Sequence, residues 1–420
     1  MIYIKLYEHQ KNILKKTNKF ENVAYFLDMG LGKTYVGSEK MHKLNNKNNL
    51  VICQKSKVSD WVEHFYNNYD FNVYDLTKKA NFKWFLLDSI KKVGILNYDI
   101  VHRRQEEIKQ LKDFTLMLDE SSMIANLRAK RTKTVLKLKY KNVILLSGTP
   151  ASNGKYEKLY SQLKLLGYKT TLDDYINMYC KYYIDKRQGF PLKIITGYKN
   201  IDGLKKIMEQ YGCVFMKTEE AISLPDKVDI NISVKNNVLY KKFKKTAVVE
   251  VNDKKLVGDN ILKKLLYLRQ LCSVYNDDKK KALIDLLTST DKKILIFYNF
   301  NDEYKIIKNI CDTLEKPTST VNGCIKDLKA YEKYNNSITI IQYVAGAMGL
   351  NLQKADSIIY FSPCLSSDLY EQSKKRINRI GQKNTCFYYH LIVKNSIEEE
   401  IYKTLAQKKD YSEKLFEKEI

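Results

Sequence analysis

The chain has no long uninterrupted apolar segment. No stretch approaches the roughly 18 consecutive apolar residues that a membrane-spanning helix requires. The first five residues also lack the apolar core of a signal peptide. A membrane protein or a secreted protein is therefore not expected, and we predict a soluble protein that stays inside the cell that makes it.

Cysteine pairs are also missing, and proline is rare. The 8 cysteines are scattered without a C-x-x-C pair, and only 5 prolines are present. Structural zinc sites need thiolates in pairs, so we expect buried, reduced cysteines and no zinc site. A chain of 420 residues with 44% hydrophobic composition exceeds what one core usually accommodates, which predicts two domains.

Acidic residues are too few to balance the basic ones. The chain has 73 Lys and Arg against 48 Asp and Glu, which gives a net charge of +25 and a pI near 9.4. Such an excess attracts polyanions, of which nucleic acid is the most common. An AT-rich genome would also enrich lysine, together with Asn, Ile and Tyr, so the charge alone does not decide between these explanations.

Short apolar runs alternate with helical patterns in two series along the chain. Each run is apolar on both faces, which is typical of buried strands in a parallel sheet covered by helices. The first series consists of residues 23–27, 50–53, 93–97, 114–118 and 143–146. The second consists of residues 294–298, 337–342, 357–361 and 385–391. The pattern predicts two α/β lobes, with a helical region between them.

A glycine-rich segment, the phosphate loop (residues 28–34), follows the first predicted strand. Glycines allow backbone N–H groups to face an anion, a lysine here reaches the β- and γ-phosphates, and the next hydroxyl can bind Mg²⁺. The residues predicted to bind ATP are Met29, Gly30, Leu31, Gly32, Lys33 and Thr34. Leu27 occupies the position where the general consensus has its first glycine.

The run at 114–118 leads directly into Asp119 and Glu120. A carboxylate at a strand tip can hold Mg²⁺ through water, and an adjacent Glu can deprotonate the attacking water. The alternative is an ordinary surface Asp-Glu pair. The apolar strand that precedes the pair favours the catalytic interpretation.

A basic segment near the C-terminus contains Arg376 and Arg379, which we expect on one face of a helix. An arginine placed on the γ-phosphate accelerates phosphoryl transfer by about 10³–10⁵-fold. These arginines belong to the second lobe, so the site would be complete only when the lobes close. The alternative is a generic basic helix.

Taken in order, these motifs resemble the Swi/Snf-type double-stranded DNA translocases of helicase superfamily 2. The most diagnostic string is Gln372 to Gln382, with Arg376 and Arg379 inside it. Further segments that carry the resemblance are 6–10, 51–56 with Trp61, 96–98, 147–150 with Asn153, 216–217 with 224–225, 268–272, 294–298 and 346–352.

The resemblance implies a role for each matching residue. Gln10 and Gln372 would contact the nucleotide. The catalytic set would be Lys33, Asp119, Glu120, Arg376 and Arg379, with Thr34 and Asp119 as Mg²⁺ ligands. The DNA contacts would be Lys55, Ser56, Asn97, Gly346 and Asn351. The residues that relay the nucleotide state would be Ser147, Gly148 and Thr149.

The resemblance further implies two RecA-like lobes with a helical insertion between them. We expect an ATP-binding lobe over residues 1–160, the insertion or linker over 161–235, and a second lobe over 236–420 whose end, 397–420, forms a charged helix. One departure concerns the acid motif, where Ser121 and Ser122 replace the usual Ala and His. The role of that histidine is therefore left open.

The functional expectation is a minimal motor of the kind that bacteria and phages encode. It would use ATP and Mg²⁺, act as a monomer on double-stranded DNA, with branched or single-stranded DNA as alternative partners, and work in the cytoplasm in replication, recombination or repair. Two alternatives are a strand-separating helicase and a DNA-binding module that does not hydrolyse ATP.

Overall fold

A computed structural model of the chain describes residues 5–151, 154–185, 191–221, 224–251, 254–346 and 350–414. The chain divides into two compact units: unit 1 comprises the residues up to 222 together with those from 410 onward, and unit 2 comprises residues 223–409. Each unit contains a large β-sheet with helices, which confirms the predicted pair of α/β lobes.

Unit 1 is built on a parallel sheet. Its strands are β1 (Val23–Leu27), β2 (Asn48–Cys53), β3 (Asn72–Asp75), β4 (Lys92–Asn97), β5 (Phe114–Asp119), β6 (Asn142–Leu146), β7 (Cys180–Asp185), β8 (Leu192–Tyr198) and β9 (Cys213–Met216). Seven of them form the sheet in the order β3-β4-β2-β5-β6-β1-β9, while β7 and β8 pair as an antiparallel hairpin.

The helices of unit 1 cover both faces of this sheet. They are α1 (Glu8–Lys16), α2 (Lys33–Leu44), α3 (Val58–Asn68), α4 (Lys79–Leu87), α5 (Gln105–Ile108), α6 (Lys130–Val135), α7 (Tyr160–Leu166), α8 (Leu172–Tyr179), α9 (Ile201–Gln210) and α10 (Thr218–Ala221). Alternate residues of β1 show the arrangement. Phe26 packs into one core and Tyr25 into the other, and both are fully buried.

Unit 2 repeats this architecture. Its strands are β10 (Lys227–Val234), β11 (Val248–Val251), β12 (Lys254–Val257), β13 (Ile294–Tyr298), β14 (Thr318–Val321), β15 (Lys326–Asp327), β16 (Ile338–Gln342), β17 (Ser357–Tyr360) and β18 (Cys386–Val393). The sheet order is β10-β18-β17-β13-β16-β14-β15, parallel except for the β14–β15 pair, and β11 and β12 form a separate hairpin.

The helices of unit 2 are α11 (Val238–Thr246), α12 (Ile261–Ser273), α13 (Asp277–Thr288), α14 (Asn301–Thr313), α15 (Lys329–Lys333), α16 (Tyr343–Gly346), α17 (Ser367–Lys374) and α18 (Ile397–Lys414). Two separate cores lie against the sheet. Phe297 belongs to one of them and Ile296 to the other. Among the described residues, no helix combines the length and the apolar character needed to cross a membrane.

The predicted helical insertion over residues 161–235 requires correction. Four strands lie in this range, and two of them extend the large sheets: β9 pairs with β1, and β10 pairs with β18. Neither strand has a long run that is apolar on both faces. β9 has only four residues, and most of β10 is exposed because it lies at the sheet edge. The signature used to identify buried strands therefore misses them.

The C-terminal helix α18 is fastened to unit 2 by a buried ion pair. The Nζ atom of Lys279 lies 2.6 and 2.8 Å from the two carboxylate oxygens of Glu398, and both side chains are at most 1% exposed. Glu398 also accepts a hydrogen bond from the backbone N–H of Val393. Burial raises the pKa of Glu398, and the charge of Lys279 opposes that rise.

Replacement of one member of this pair should destabilise unit 2. Lys279→Met should lower the free energy of unfolding by about 3–5 kcal/mol, because it leaves Glu398 buried without its counter-ion. Urea denaturation followed by circular dichroism measures the change. Lys280→Met is the matched control, since Lys280 pairs with Asp277 at the surface and should contribute less than about 1 kcal/mol. Equal losses in the two variants would contradict the prediction.

Candidate nucleotide and nucleic-acid site

The predicted site residues of unit 1 lie at one edge of its sheet. Strands β4, β2, β5, β6 and β1 are neighbours in this order, and they all run in the same direction. Their carboxyl ends therefore meet at the same edge, where ligands bind in open α/β sheets. The phosphate loop follows β1, and the motifs at Lys55, Asn97, Asp119 and Ser147 lie at or directly after the ends of β2, β4, β5 and β6.

The phosphate loop has the backbone that its glycines permit. Gly30 and Gly32 have positive φ angles of 87° and 73°, and α2 begins at Lys33 directly after the loop. The first N–H groups of a helix attract anions. A Cβ atom on Gly32 would lie 2.2 Å from Nε2 of Gln10, so a side chain at this position would displace the glutamine.

Gln10 lies against the phosphate loop. Its buried amide donates from Nε2 to the carbonyl of Leu31 at 3.1 Å, and its Oε1 accepts from the N–H of Tyr7 at 3.0 Å. The side chain therefore ties the start of α1 to the loop. The contact of Gln10 with adenine stays a prediction.

Lys33 lies between the phosphate loop and the segment after β6. Its Nζ donates to the carbonyls of Leu27 at 2.9 Å and Asp28 at 3.2 Å. A Cβ atom on Gly148 would lie 3.4 Å from this Nζ, so the segment Ser147–Thr149 contacts the lysine through a residue without a side chain. Ser147 Oγ accepts from the N–H of Thr149, which fixes the turn.

A threonine that the sequence analysis did not select holds the loop from the other side. Thr218, at the start of α10, donates to Oδ2 of Asp28 at 3.0 Å and lies 3.2 Å from the carbonyl of Met29. Asp28 in turn accepts from the N–H of Met29. The positions are 190 residues apart, and only the pairing of β9 with β1 brings them together.

The acid pair has an unusual backbone. Asp119 ends β5, and Glu120 adopts a left-handed conformation with φ 57° and ψ 56°. A non-glycine residue in this region costs about 1–3 kcal/mol, and such strain is concentrated at functional sites. The strained turn places Glu120 just beyond the strand tip, which is where the sequence predicts a general base.

The carboxylate of Asp119 is held by an indole. Trp61 on α3 donates from Nε1 to Oδ2 of Asp119 at 2.8 Å, and the hydroxyl of Tyr98 donates to the carbonyl of the same residue at 2.9 Å. Burial raises the pKa of Asp119, whereas the hydrogen bond from Trp61 and the positive charges of Lys33 and Lys57 oppose the rise.

A chain of hydrogen bonds connects the acid motif to the segment after β6. Ser121 donates to Oε1 of Gln162 at 2.7 Å, and Nε2 of Gln162 donates to the carbonyl of Pro150 at 2.9 Å. All these polar side-chain atoms are buried. Ser121, which makes the first of these bonds, stands where the family motif has alanine. Its hydroxyl connects the acid motif to the segment after β6 without the histidine that the family motif usually has. Asn153 of the same motif lies outside the described residues.

The predicted DNA contacts of unit 1 border one cleft. Lys55 and Ser56 are exposed on a short 3₁₀ helix, Lys55–Lys57, between β2 and α3. The cleft has a volume of about 870 Å³ and is lined by Lys55, Asn97, residues of α3, and Asp75, Thr77, Asp99 and Ile100. Asn97 is only 3% exposed, and its amide donates to Asp99 at 3.5 Å. Lys55 and Ser56 are therefore the accessible members of the predicted set.

The arginines of unit 2 do not lie on a helix, which corrects the prediction of a shared helical face. Helix α17 ends at Lys374, and both arginines follow it in a turn region. Arg376 is 2% exposed, and its carbonyl accepts from the N–H of Leu352. Arg379 donates to the carbonyl of Leu350 and to Oδ1 of Asn351.

The turn therefore brings both arginines to the segment that contains the predicted DNA contact Asn351. Gly346 ends α16, and residues 347–349 of this motif lie outside the described residues. Gln372 is half-buried on α17, and its contact with the nucleotide stays a prediction. Burial lowers the pKa of the Arg379 guanidinium.

The residues of unit 1 suit a magnesium ion. Thr34 supplies a hydroxyl in the first turn of α2, and Asp119 supplies a carboxylate at the tip of β5. Mg²⁺ is commonly held by one or two such oxygen ligands together with substrate phosphates. Among the described residues, no group of three or more His, Cys, Asp and Glu side chains could hold a metal ion by itself. The donor set therefore fits Mg²⁺ that binds together with a nucleotide.

Comparison with known proteins identifies two conserved domains along the chain. The SNF2-related domain matches residues 5–276, and the helicase conserved C-terminal domain matches residues 278–381. The chain is 23% identical over 433 aligned positions to the uncharacterized ATP-dependent helicase MG018 of Mycoplasma genitalium, covering 94% of this chain and 40% of that protein. It is 23% identical over 433 positions to the ISWI chromatin-remodeling complex ATPase ISW2 of Saccharomyces cerevisiae, covering 91% and 38% respectively.

Among solved structures, the chain is similar to the Sulfolobus solfataricus SWI2/SNF2 ATPase core in complex with dsDNA. The identity is 21%, the TM-score is 0.44, and the match covers 97% of this chain and 92% of that chain. This chain spans about two fifths of the length of the curated relatives described above. Because the SNF2-related domain extends over more than half of its residues, the chain belongs to the SNF2 family.

Proposed function

We propose that the chain is a DNA-dependent ATPase that uses ATP hydrolysis to move along double-stranded DNA. One observation carries this proposal: strands β1, β6 and β5 end side by side, and each leads directly into one part of a phosphoryl-transfer site. The parts are the phosphate loop after β1, Ser147–Thr149 after β6, and Asp119 with Glu120 at the end of β5.

The residues of unit 1 would divide the chemistry between them. The N–H groups of the phosphate loop and of the α2 N-terminus bind the phosphates, and Lys33 exchanges its carbonyl partners for phosphate oxygens. Glu120 accepts the proton of the attacking water. Thr34 and Asp119 would hold Mg²⁺, which when bound neutralises negative charge on the phosphates.

Unit 2 would supply the positive charge that this chemistry requires on the γ-phosphate. Arg376 and Arg379 are proposed for that role, and the bond from Arg379 to Asn351 ties it to the proposed DNA contact of the same unit. A nucleotide that draws Arg379 towards its phosphates would disturb this bond. ATP chemistry would thereby alter the DNA contact.

Three observations support DNA as the partner. The net charge of +25 attracts a polyanion, and Lys55 and Ser56 are exposed beside a cleft in unit 1. Relatives of the chain include an ATP-dependent helicase and a chromatin-remodeling ATPase. Contacts to phosphates do not depend on base sequence and weaken with salt, so binding should be non-specific and salt-sensitive.

The function is tested by ATP turnover with duplex DNA, single-stranded DNA, RNA or no nucleic acid, together with triplex-strand displacement and unwinding. We expect duplex DNA to stimulate turnover and the third strand to be displaced without separation of the duplex. Stimulation by single strands alone, with unwinding, would instead identify a strand-separating helicase. DNA binding without any turnover would identify a non-hydrolysing module.

The role of Glu120 is tested by Glu120→Gln. This variant should bind ATP with unchanged affinity but hydrolyse it about 10²–10⁴-fold more slowly, because the amide cannot accept the proton of the water. Nucleotide binding and steady-state turnover are measured separately. Glu106→Gln serves as the control, since Glu106 is exposed and pairs only with Lys109 at the surface. Normal turnover in Glu120→Gln would overturn the assignment.

The role of the arginines is best tested at Arg379, because Arg376 is too deeply buried to replace without loss of stability. Arg379→Ala should lower kcat by about 10³-fold while ATP binding is retained, since the charge acts on the developing γ-phosphate. Lys383→Ala removes an exposed cation from the same segment and should leave kcat unchanged. A normal kcat in Arg379→Ala would exclude it from the site.

A further inference from the structure

Helix α3 connects the proposed DNA contacts of unit 1 with two parts of the proposed nucleotide site in the same unit, the first turn of α2 and the carboxylate of Asp119. Its N-terminus continues from the 3₁₀ helix Lys55–Lys57 without an intervening loop. The Nζ atom of Lys57 lies 2.7 Å from the carboxylate of Asp60, which ties the 3₁₀ helix to the first turn of α3. Lys55 and Ser56 are therefore directly continuous with the first turn of α3.

One face of α3 is hydrogen-bonded to the nucleotide site. Trp61, in the first turn of α3, donates its indole N–H to Asp119. One turn later, His64 Nε2 lies 2.9 Å from Oγ of Ser38, which donates its proton to the carbonyl of Thr34 at 2.7 Å. His64 is thereby connected through Ser38 to the first turn of α2.

A second face of α3 borders the open cleft. Val58, Ser59, Val62, Glu63 and Tyr66 line this cleft together with Lys55, Asn97 and the carboxylates of Asp75 and Asp99, so the positive charge on this side is that of Lys55 at the N-terminal end of the helix. Tyr66 is 78% exposed, whereas Trp61 is 2% exposed. The helix therefore presents different residues to the accessible side of unit 1 and to the residues proposed to bind Mg²⁺ and phosphates.

We propose that α3 couples DNA contact to the nucleotide site, with Trp61 as the positioning residue that orients the carboxylate of Asp119. DNA phosphates bound at Lys55 and Ser56 shift α3, and the shift moves the indole N–H relative to Oδ2. The orientation of the carboxylate that would hold Mg²⁺ then depends on whether DNA is bound. This inference rests on the proposed function, and it specifies how that function is regulated.

Trp61→Phe tests the proposal because it removes the N–H and keeps an aromatic ring. The half-saturating Mg²⁺ concentration for ATP-analogue binding should rise about 10-fold or more, as is typical when a partner of a metal ligand is lost. The stimulation of ATP turnover by duplex DNA should fall towards one-fold. The matched control is Phe65→Leu, which alters a fully buried aromatic on the same face, 5.7 Å from Trp61 between ring centres, without removing a hydrogen bond to Asp119.

Tryptophan fluorescence provides a readout that does not depend on turnover or on the folding of Trp61→Phe. The chain has 2 tryptophans, and the other one, Trp84, is 62% exposed on α4. In Trp84→Phe, all tryptophan emission comes from Trp61. Duplex DNA without nucleotide should change this emission, and Asp119→Ala in the same background should shift it even without ligands. Lys55→Ala with Ser56→Ala should reduce the response to DNA.

The outcomes separate this proposal from the function on which it rests. If duplex DNA stimulates ATP turnover by the unmodified protein, two results would overturn the coupling. One is that Trp61→Phe keeps normal stimulation and normal Mg²⁺ dependence. The other is that Trp61 emission does not change although fluorescence anisotropy of labelled DNA shows that the DNA is bound. Equal defects in Trp61→Phe and Phe65→Leu would also overturn it, since packing alone would then explain the effect. If the unmodified protein shows no stimulation by any DNA, the proposed function and the coupling both fail.

Discussion

Parallel pairing of β1 with β6, and of β6 with β5, is the interaction on which the candidate site depends. The register aligns Tyr25 with Leu146 and Leu146 with Asp119, so the three strands end at nearly the same level. Parallel strands that are buried on both faces keep this register, because a shift by one residue would exchange the side chains of the two cores. The phosphate loop, the acid pair and Ser147 meet for this reason.

The same edge is reinforced by polar side chains whose partners are distant in the sequence. Thr218 holds Asp28, Gln162 connects Ser121 to Pro150, and Trp61 holds Asp119. Buried polar groups of this kind stabilise a single arrangement, since any displacement leaves a donor or an acceptor without a partner. The left-handed backbone of Glu120 persists within this frame. The residues proposed to perform the chemistry are thus held in place by neighbours outside the proposed catalytic set.

The sequence predicted the central strands of both units to within two residues at each end, because most of them are short runs that are apolar on both faces. β1 and β13 were predicted with their exact observed bounds. The edge strands β3, β9, β10 and β15 escaped prediction, as did the short strand β14 beside β15 and both hairpins. Strands at an edge are shorter or have one exposed face, so their local pattern does not differ from that of a loop or an amphipathic helix. The expected helix at Arg376 and Arg379 ended before them for a related reason: spacing alone does not show where a helix ends.

The sequence by itself determined which chemical groups this protein has. They are a lysine and a threonine in a glycine-rich loop, two acids after an apolar strand, and two arginines near the other end. The order of these motifs also places the chain in the SNF2 family. Local backbone preference and burial encode these features, so they can be read from neighbouring residues. Only the tertiary structure decided which other side chains orient these chemical groups. Trp61 and Asp119 are 58 positions apart, and Thr218 and Asp28 are 190 apart. Such contacts arise from the pairing of strands and the packing of helices on the sheet, which no local pattern specifies.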